Sequence, residues 1–102
     1  MKEFEIIITS KAQSDLAECV SFVLNASKEE AIKLTNDIYF SLESLNTFPE
    51  RNPIFEMPKS FPYTVRKILI NKCYLALYSI EDDKVVVYRI LDVRRNFDYL
   101  IN

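Results

Sequence analysis

The sequence predicts an α+β domain in the order β-α-α-β-β-β: an antiparallel sheet with a two-helix hairpin packed on one face. Three observations carry this. The last forty or so residues hold three apolar, β-branched runs separated by tight turns. Two capping boxes near the start each open a stretch with apolar residues at helical spacing. A short run of isoleucines precedes them both.

Phe4 to Thr9 (FEIIIT) is the opening strand, because β-branched apolar residues fit a pleated, buried surface. Ser10-Lys-Ala-Gln13 reads as a capping box, with the serine hydroxyl accepting from the third helical N–H. The helix it opens runs to about Asn25, with Leu16, Cys19, Val20, Val23 and Leu24 on one face. Ser27-Lys-Glu-Glu30 is a second box, and its helix runs to about Thr47 over Ala31, Leu34, Ile38, Leu42 and Leu45. The short link makes the two an αα-hairpin. Residues 48–62 hold all four prolines (Pro49, Pro53, Pro58 and Pro62), which remove donors and fix φ, so an extended loop is expected. Tyr63–Ile70, Tyr74–Ile80 and Lys84–Asp92 are the meander strands. Asn71-Lys72 and Asp82-Asp83 turn between them, Asn and Asp tolerating positive φ better than most residues.

The 102 residues form one domain over their full length, large enough for a core without staples. Hydrophobic residues at 49% and charged residues at 27% place the chain among folding sequences and not disordered ones. No apolar run approaches the ~20 residues of a membrane span, and no signal-peptide core stands at the start. The expected compartment is the cytoplasm, with no membrane partner. Cys19 and Cys73 are isolated, without ligand or redox spacing, and read as reduced thiols.

Glycine and histidine are both absent. Without glycine no P-loop or dinucleotide fingerprint can form, since both bring bare backbone against phosphate. Without histidine there is no imidazole base, no histidine-activated nucleophile and no histidine-held metal. No metal and no small-molecule cofactor is expected, and any catalysis falls to Lys, Arg, Tyr, Asp or Glu. Charge is uneven. Residues 1–57 carry five basic and ten acidic side chains, residues 58–102 eight basic and five acidic. The strand half is thus the side for an anionic partner, although it is less basic than a dedicated nucleic-acid binder.

With two-residue loops at both turns, Ile70 pairs with Cys73 and Glu81 with Lys84. One sheet face then carries Val65, Lys67, Leu69, Tyr74, Ala76, Tyr78, Ile80, Val85, Val87, Arg89 and Leu91. The other carries Arg66, Ile68, Ile70, Cys73, Leu75, Leu77, Ser79, Val86, Tyr88, Ile90 and Asp92. Both are largely apolar and the helices can cover one. The second needs a lid, supplied in part by Phe97, Leu100 and Ile101 and otherwise by a partner chain. Arg66 and Arg89, in mid-strand, are candidates for ion pairs with Asp92 or a carboxylate on a helix.

The opening FEIIIT with SKAQSDLAECVSFV and its Asp15-Leu16 pair, the SLESLNTFPERNP stretch, and VRKILINKCYLALYSIEDDKVVVYRILDVRRNFDYLI with its Arg94-Arg95-Asn96-Phe97 ending occur in order over nearly the whole chain. Together they resemble the ParE/RelE family of toxins from type II toxin–antitoxin modules. The resemblance implies a compact toxin neutralised by a cognate antitoxin laid over its sheet and helices. It implies one of two targets: DNA gyrase, inhibited by protein–protein contact in ParE-like members, or ribosome-bound mRNA, cleaved by RelE-like members. For the nuclease branch, Arg66 and Arg95 fall on phosphate-holding positions and Tyr99 near the terminal tyrosine. Leu75 stands where that branch has an arginine, and Asp92 where many members have histidine. Loss of one preorganised charge costs about a hundred- to a thousandfold in rate, so the ParE-like reading leads and the ribosome-dependent endoribonuclease is the alternative. A degenerate toxin kept as a binding module is a third. Expected partner-binding residues are Arg66, Ile68, Leu75, Leu77, Tyr88, Arg94, Arg95 and Phe97.

Overall fold

A computed structural model of the chain describes residues 3–94. Its elements are β1 (Glu5–Ile8), α1 (Ser10–Leu24), α2 (Lys28–Glu43), β2 (Ile54–Phe55), β3 (Val65–Ile70), β4 (Tyr74–Glu81) and β5 (Lys84–Asp92). The sheet order is β1-β5-β4-β3-β2. The helical hairpin lies on one face, as the sequence predicts. The sheet is mostly antiparallel, but β1 runs parallel to β5, with Glu5 opposite Lys84 and Ile8 opposite Val87. The chain reverses direction at each connection, from β1 through the hairpin to β2 and on through β3 and β4, and four reversals leave β5 running with β1.

The cap of α1 is Thr9, one residue before the serine expected. Its hydroxyl accepts the Ala12 N–H at 3.1 Å and donates to the Tyr88 carbonyl at 3.2 Å, while its own N–H reaches Val87 O at 3.1 Å. One residue thus ends the strand and starts the helix. Ser27 caps α2 as expected, accepting from Glu30 N–H. On α2 and the 3-10 turn after it (Ser44–Asn46), Ala31, Leu34, Ile38, Leu42 and Leu45 are all buried. On α1, Leu16 and Cys19 are buried and Val20 and Val23 pack on the core, whereas Leu24 at the helix end is exposed.

The proline stretch is more structured than a loop. Pro49–Arg51 forms a 3-10 turn, with proline at a position that needs no N–H, and Ile54–Phe55 adds an edge strand to β3. Tyr78, fully buried under this stretch, donates from Oη to Pro49 O at 2.6 Å and accepts from Asn52 Nδ2 at 3.0 Å. Arg66 donates to Asn52 O at 2.7 Å, and Arg51 gathers the carbonyls of Ser44, Thr47 and Phe48. Tyr78→Phe strands the Pro49 carbonyl and is expected to cost about 1–2 kcal/mol, read as a shifted urea midpoint at unchanged slope.

Two register details redistribute the sheet faces. The β4–β5 turn is the two-residue loop expected, Glu81 facing Lys84 and Asp82 at φ 59°. The β3–β4 loop is one residue longer: Cys73 N–H closes a turn on Ile70 O, but Ile70 faces Tyr74. A one-residue slip reverses a strand's faces, so Arg66, Ile68 and Ile70 turn toward the helices, and Val65, Lys67 and Leu69 away. In β5 a bulge leaves Tyr88 without an opposite number, Leu77 facing Arg89 and Tyr78 facing Val87. Beyond it Ile90 and Asp92 point to the helix side and Leu91 to the other. The main core is therefore Tyr74, Ala76, Tyr78, Val85, Val87 and Ile90 against the helical stripes. Both cysteines are free thiols, Cys19 buried and Cys73 half-buried. No helix among the described residues is long and apolar enough to cross a membrane.

Candidate partner-binding surface

The sheet face away from the helices has its own apolar cluster: Val65, Leu75, Leu77 and Leu91, all buried, with Phe55, Met57, Phe61 and Val93 packed over it. The lid over its centre is thus the segment that follows β2. Beside this lid a groove of about 370 Å³ remains open, lined by Thr9, Lys11, Met57, Phe61, Val65, Leu77, Tyr88 and Arg89. Leu69 lies bare on the same face and Tyr63 at its margin, edge-on to Phe61.

The bulge sets the polar wall of the groove. β1 stops at Ile8, and past that point no strand among the described residues lies beside the outer edge of β5. Asp15 of α1 fills the place. It accepts from Ile90 N–H at 3.0 Å, from Arg89 Nε at 2.7 Å and from Arg89 Nη2 at 3.1 Å, and Lys11 Nζ stands 3.8 Å away. This is the pairing with a carboxylate on a helix that the sequence predicts for Arg89.

Tyr88 and Ser79 both donate to the Glu81 carboxylate, the serine at 2.5 Å, and Phe61 meets the Tyr88 ring edge-on at 5.6 Å. Burial, reinforced by the bond to Glu81, pushes the Tyr88 phenol up to about 12, so it stays a donor and not a base. The bonds from Ser79 and then Tyr88 hold Glu81 below the usual carboxylate range. A depressed carboxylate contributes its stability above the unfolded value near 4.3 and loses it as pH falls through the folded one. Glu81→Gln is expected to flatten that part of the acid unfolding curve, by under about 1 kcal/mol for so hydrated a group, in melts taken from pH 5 down to 2.

At the far end of β5, Asp92 accepts from Arg94 Nη2 at 2.8 Å and from Arg94 N–H at 3.0 Å, and the guanidinium lies 5.6 Å from the Tyr74 ring centre. The bond to Asp92 raises the Arg94 pKa further and keeps it charged. Burial raises Tyr74, with Arg94 opposing.

The sequence-expected site residues do not all meet. Leu75, Leu77 and Tyr88 share the open face, the two leucines beneath the lid. Arg66 and Ile68 sit on the helix side. Arg94 is at the end of the sheet. Arg95, Phe97 and Tyr99, with Leu100 and Ile101, lie outside the described residues. Thr9, Lys11, Met57 and Phe61 were not among the expected site residues. For Met57 and Phe61 the sequence signal is the set of apolar residues, with Ile54 and Phe55, spread through a proline-rich stretch that a plain surface loop does not need; Thr9 and Lys11 carry none.

A family model described as the ParE toxin of a type II toxin–antitoxin system, parDE, matches residues 6–97. Among solved structures the chain is similar to one of the chromosomal ParDE toxin–antitoxin system from P. aeruginosa, with a TM-score of 0.70 and 21% identity over 88% of this chain and 96% of that one. It is also similar to a conserved hypothetical protein from Helicobacter pylori, solved in solution, with a TM-score of 0.56 and 14% identity over 90% and 97%. At these identities the likeness speaks for the fold. No curated protein matches significantly.

Proposed function

This chain belongs to the ParE toxin family of type II toxin–antitoxin systems, and from that premise we propose that it arrests growth by binding DNA gyrase in the cytoplasm, without catalysis of its own. As a toxin of such a system it has a cognate antitoxin for partner. We place the antitoxin over the open sheet face, where Leu69 and the groove leave apolar surface bare.

One observation carries the choice of target: among the described residues, the arginines on β3, on β5 and just past its end are already bonded within the chain. Arg66 is bonded to Asn52 O, Arg89 to Asp15, and Arg94 to Asp92. The position that resembles a catalytic arginine of the RelE branch is Leu75, 8% exposed. A scissile phosphate approaching there finds an alkyl side chain, and near the end of β5 it finds Asp92. The reading tests directly. Micromolar toxin is expected to block supercoiling by purified gyrase, and added antitoxin to restore it. Unaffected supercoiling, together with message cleavage in a reconstituted translation system that Arg95→Ala abolishes, would move the assignment to the endoribonuclease.

A further inference from the structure

We propose that the lid, Met57–Phe61, is a hinged flap that lifts off the open sheet face in the free chain and uncovers an apolar row across three strands. The register sets the row: Leu69 of β3 faces Leu75 of β4, and Leu75 faces Leu91 of β5. Leu69 is bare, while Leu75 and Leu91 are buried in the cluster under the lid. Lifting the lid turns one exposed leucine into a strip that crosses the sheet.

Three features make this segment the part that moves. First, hydrogen bonds do not tie it down. Among the described residues, the one hydrogen bond of residues 56–64 is Phe61 N–H to Pro58 O at 2.9 Å, inside the segment itself. Second, two side chains hold it. Met57 and Phe61 are half-buried on the cluster, and the rest of residues 56–64 is exposed. Both anchors border open space, the groove on one side and a hollow of about 280 Å³ walled by Ile54, Phe55 and the lid on another. Each therefore forgoes part of the packing of an enclosed side chain. Segments with few buried apolar contacts and no ladder open at far lower free energy than the whole fold. Third, the lid is stiff in itself. Pro58 and Pro62 fix φ on either side of the Lys59-Ser60 turn. It moves as one piece about Glu56 and Thr64, which are exposed and adjoin the ends of β2 and β3. An antitoxin on this face, a placement that rests on the function proposed above, meets Leu69 alone with the lid down and the full row with it up. The opening itself belongs to the free chain, so its test does not involve the antitoxin.

That test reads alkylation of a cysteine placed beneath the lid of the full chain. Leu75→Cys is the reporter, since Leu75 does not line the groove. Ala76→Cys, its neighbour on the helix side, is the control, and the native Cys19 and Cys73 are told apart by peptide mass. The reporter thiol is expected to react about a hundredfold or more faster than the control, which waits for the helix layer to leave. Phe61→Ala removes one anchor and is expected to speed the reporter about tenfold. Ile38→Val weakens the core on the helix side, and is expected to speed the control and leave the reporter unchanged. If Leu75→Cys does not fold, Leu91→Cys reads the same cluster. A reporter no faster than the control, or one that follows Ile38→Val with it, would overturn the proposal, because the cluster would then open only with the whole fold. A fast reporter unmoved by Phe61→Ala would overturn it too, by placing the opening elsewhere than the lid.

Discussion

Asp15→Ala is expected to lower the unfolding free energy by about 3–5 kcal/mol, the usual result of leaving a buried charge and a backbone donor without their partner. Against a typical total of about 5–15 kcal/mol, that is a large share for one residue. It follows from the end of β1. Glu5 N–H bonds to Asp83 O and Thr9 N–H to Val87 O, and the Thr9 hydroxyl then takes Tyr88 O. The next donor along that edge, Ile90 N–H, is received by the Asp15 carboxylate. The same carboxylate holds the Arg89 fork, both side chains being almost wholly buried. Removing Asp15 therefore opens the strand edge and takes its carboxylate from the Arg89 guanidinium at once. Arg89→Met removes the charge but leaves Ile90 paired, so it is expected to cost less. The double variant is expected to cost less than the two single losses combined, because the Arg89–Asp15 contact is then lost once and not counted twice. Urea unfolding of the four proteins measures the cycle. A loss below about 1 kcal/mol for Asp15→Ala would mean that water replaces the carboxylate at the edge.

The sequence carries the element order and most boundaries because those depend on local chemistry: the Ser27 cap, the α2 stripe from Ala31 to Leu45, and the Lys84–Asp92 strand. The faces of the sheet depend on single residues inserted between strands, and sequence pattern cannot weigh these. Asn71-Lys72 looks the same whether Cys73 pairs or stands out of the ladder, yet this one residue moves Leu69 from one face to the other. Likewise nothing in KVVVYRILD marks Tyr88 as the bulged residue, since tyrosine is at home in a regular strand. The bulge is legible only with Asp15, seventy-odd residues away, already in place. The α1 cap is displaced for a similar reason. Thr9 and Ser10 are both good caps, and the pairing of β1 with β5 selects the one at the strand end. The lid from Met57 to Phe61 was hidden because proline content argues for a loop but does not say where the loop lies. The Arg89 pairing was foreseeable, since a guanidinium set in mid-strand between apolar neighbours requires a carboxylate.

Leu69→Glu is expected to weaken antitoxin binding about a hundredfold while leaving the toxin as stable as before. Leu69 is 57% exposed on the open face, pairing across the ladder with the buried Leu75, so a polar replacement loses little on folding, within about 0.5 kcal/mol. In a complex that covers this face it stands at a desolvated centre, where an uncompensated carboxylate forfeits an apolar contact and its hydration together. Central apolar anchors contribute about 2 kcal/mol or more, and a hundredfold in Kd is about 2.8 kcal/mol. Phe40→Glu is the matched control. Phe40 is 79% exposed, the barest of the exposed large apolar residues among those described, but it lies on α2 in the opposite layer. It carries no load if the antitoxin takes the open face. Calorimetric titration of both variants separates the layers: a large loss at Phe40 with none at Leu69 would place the antitoxin on the helices.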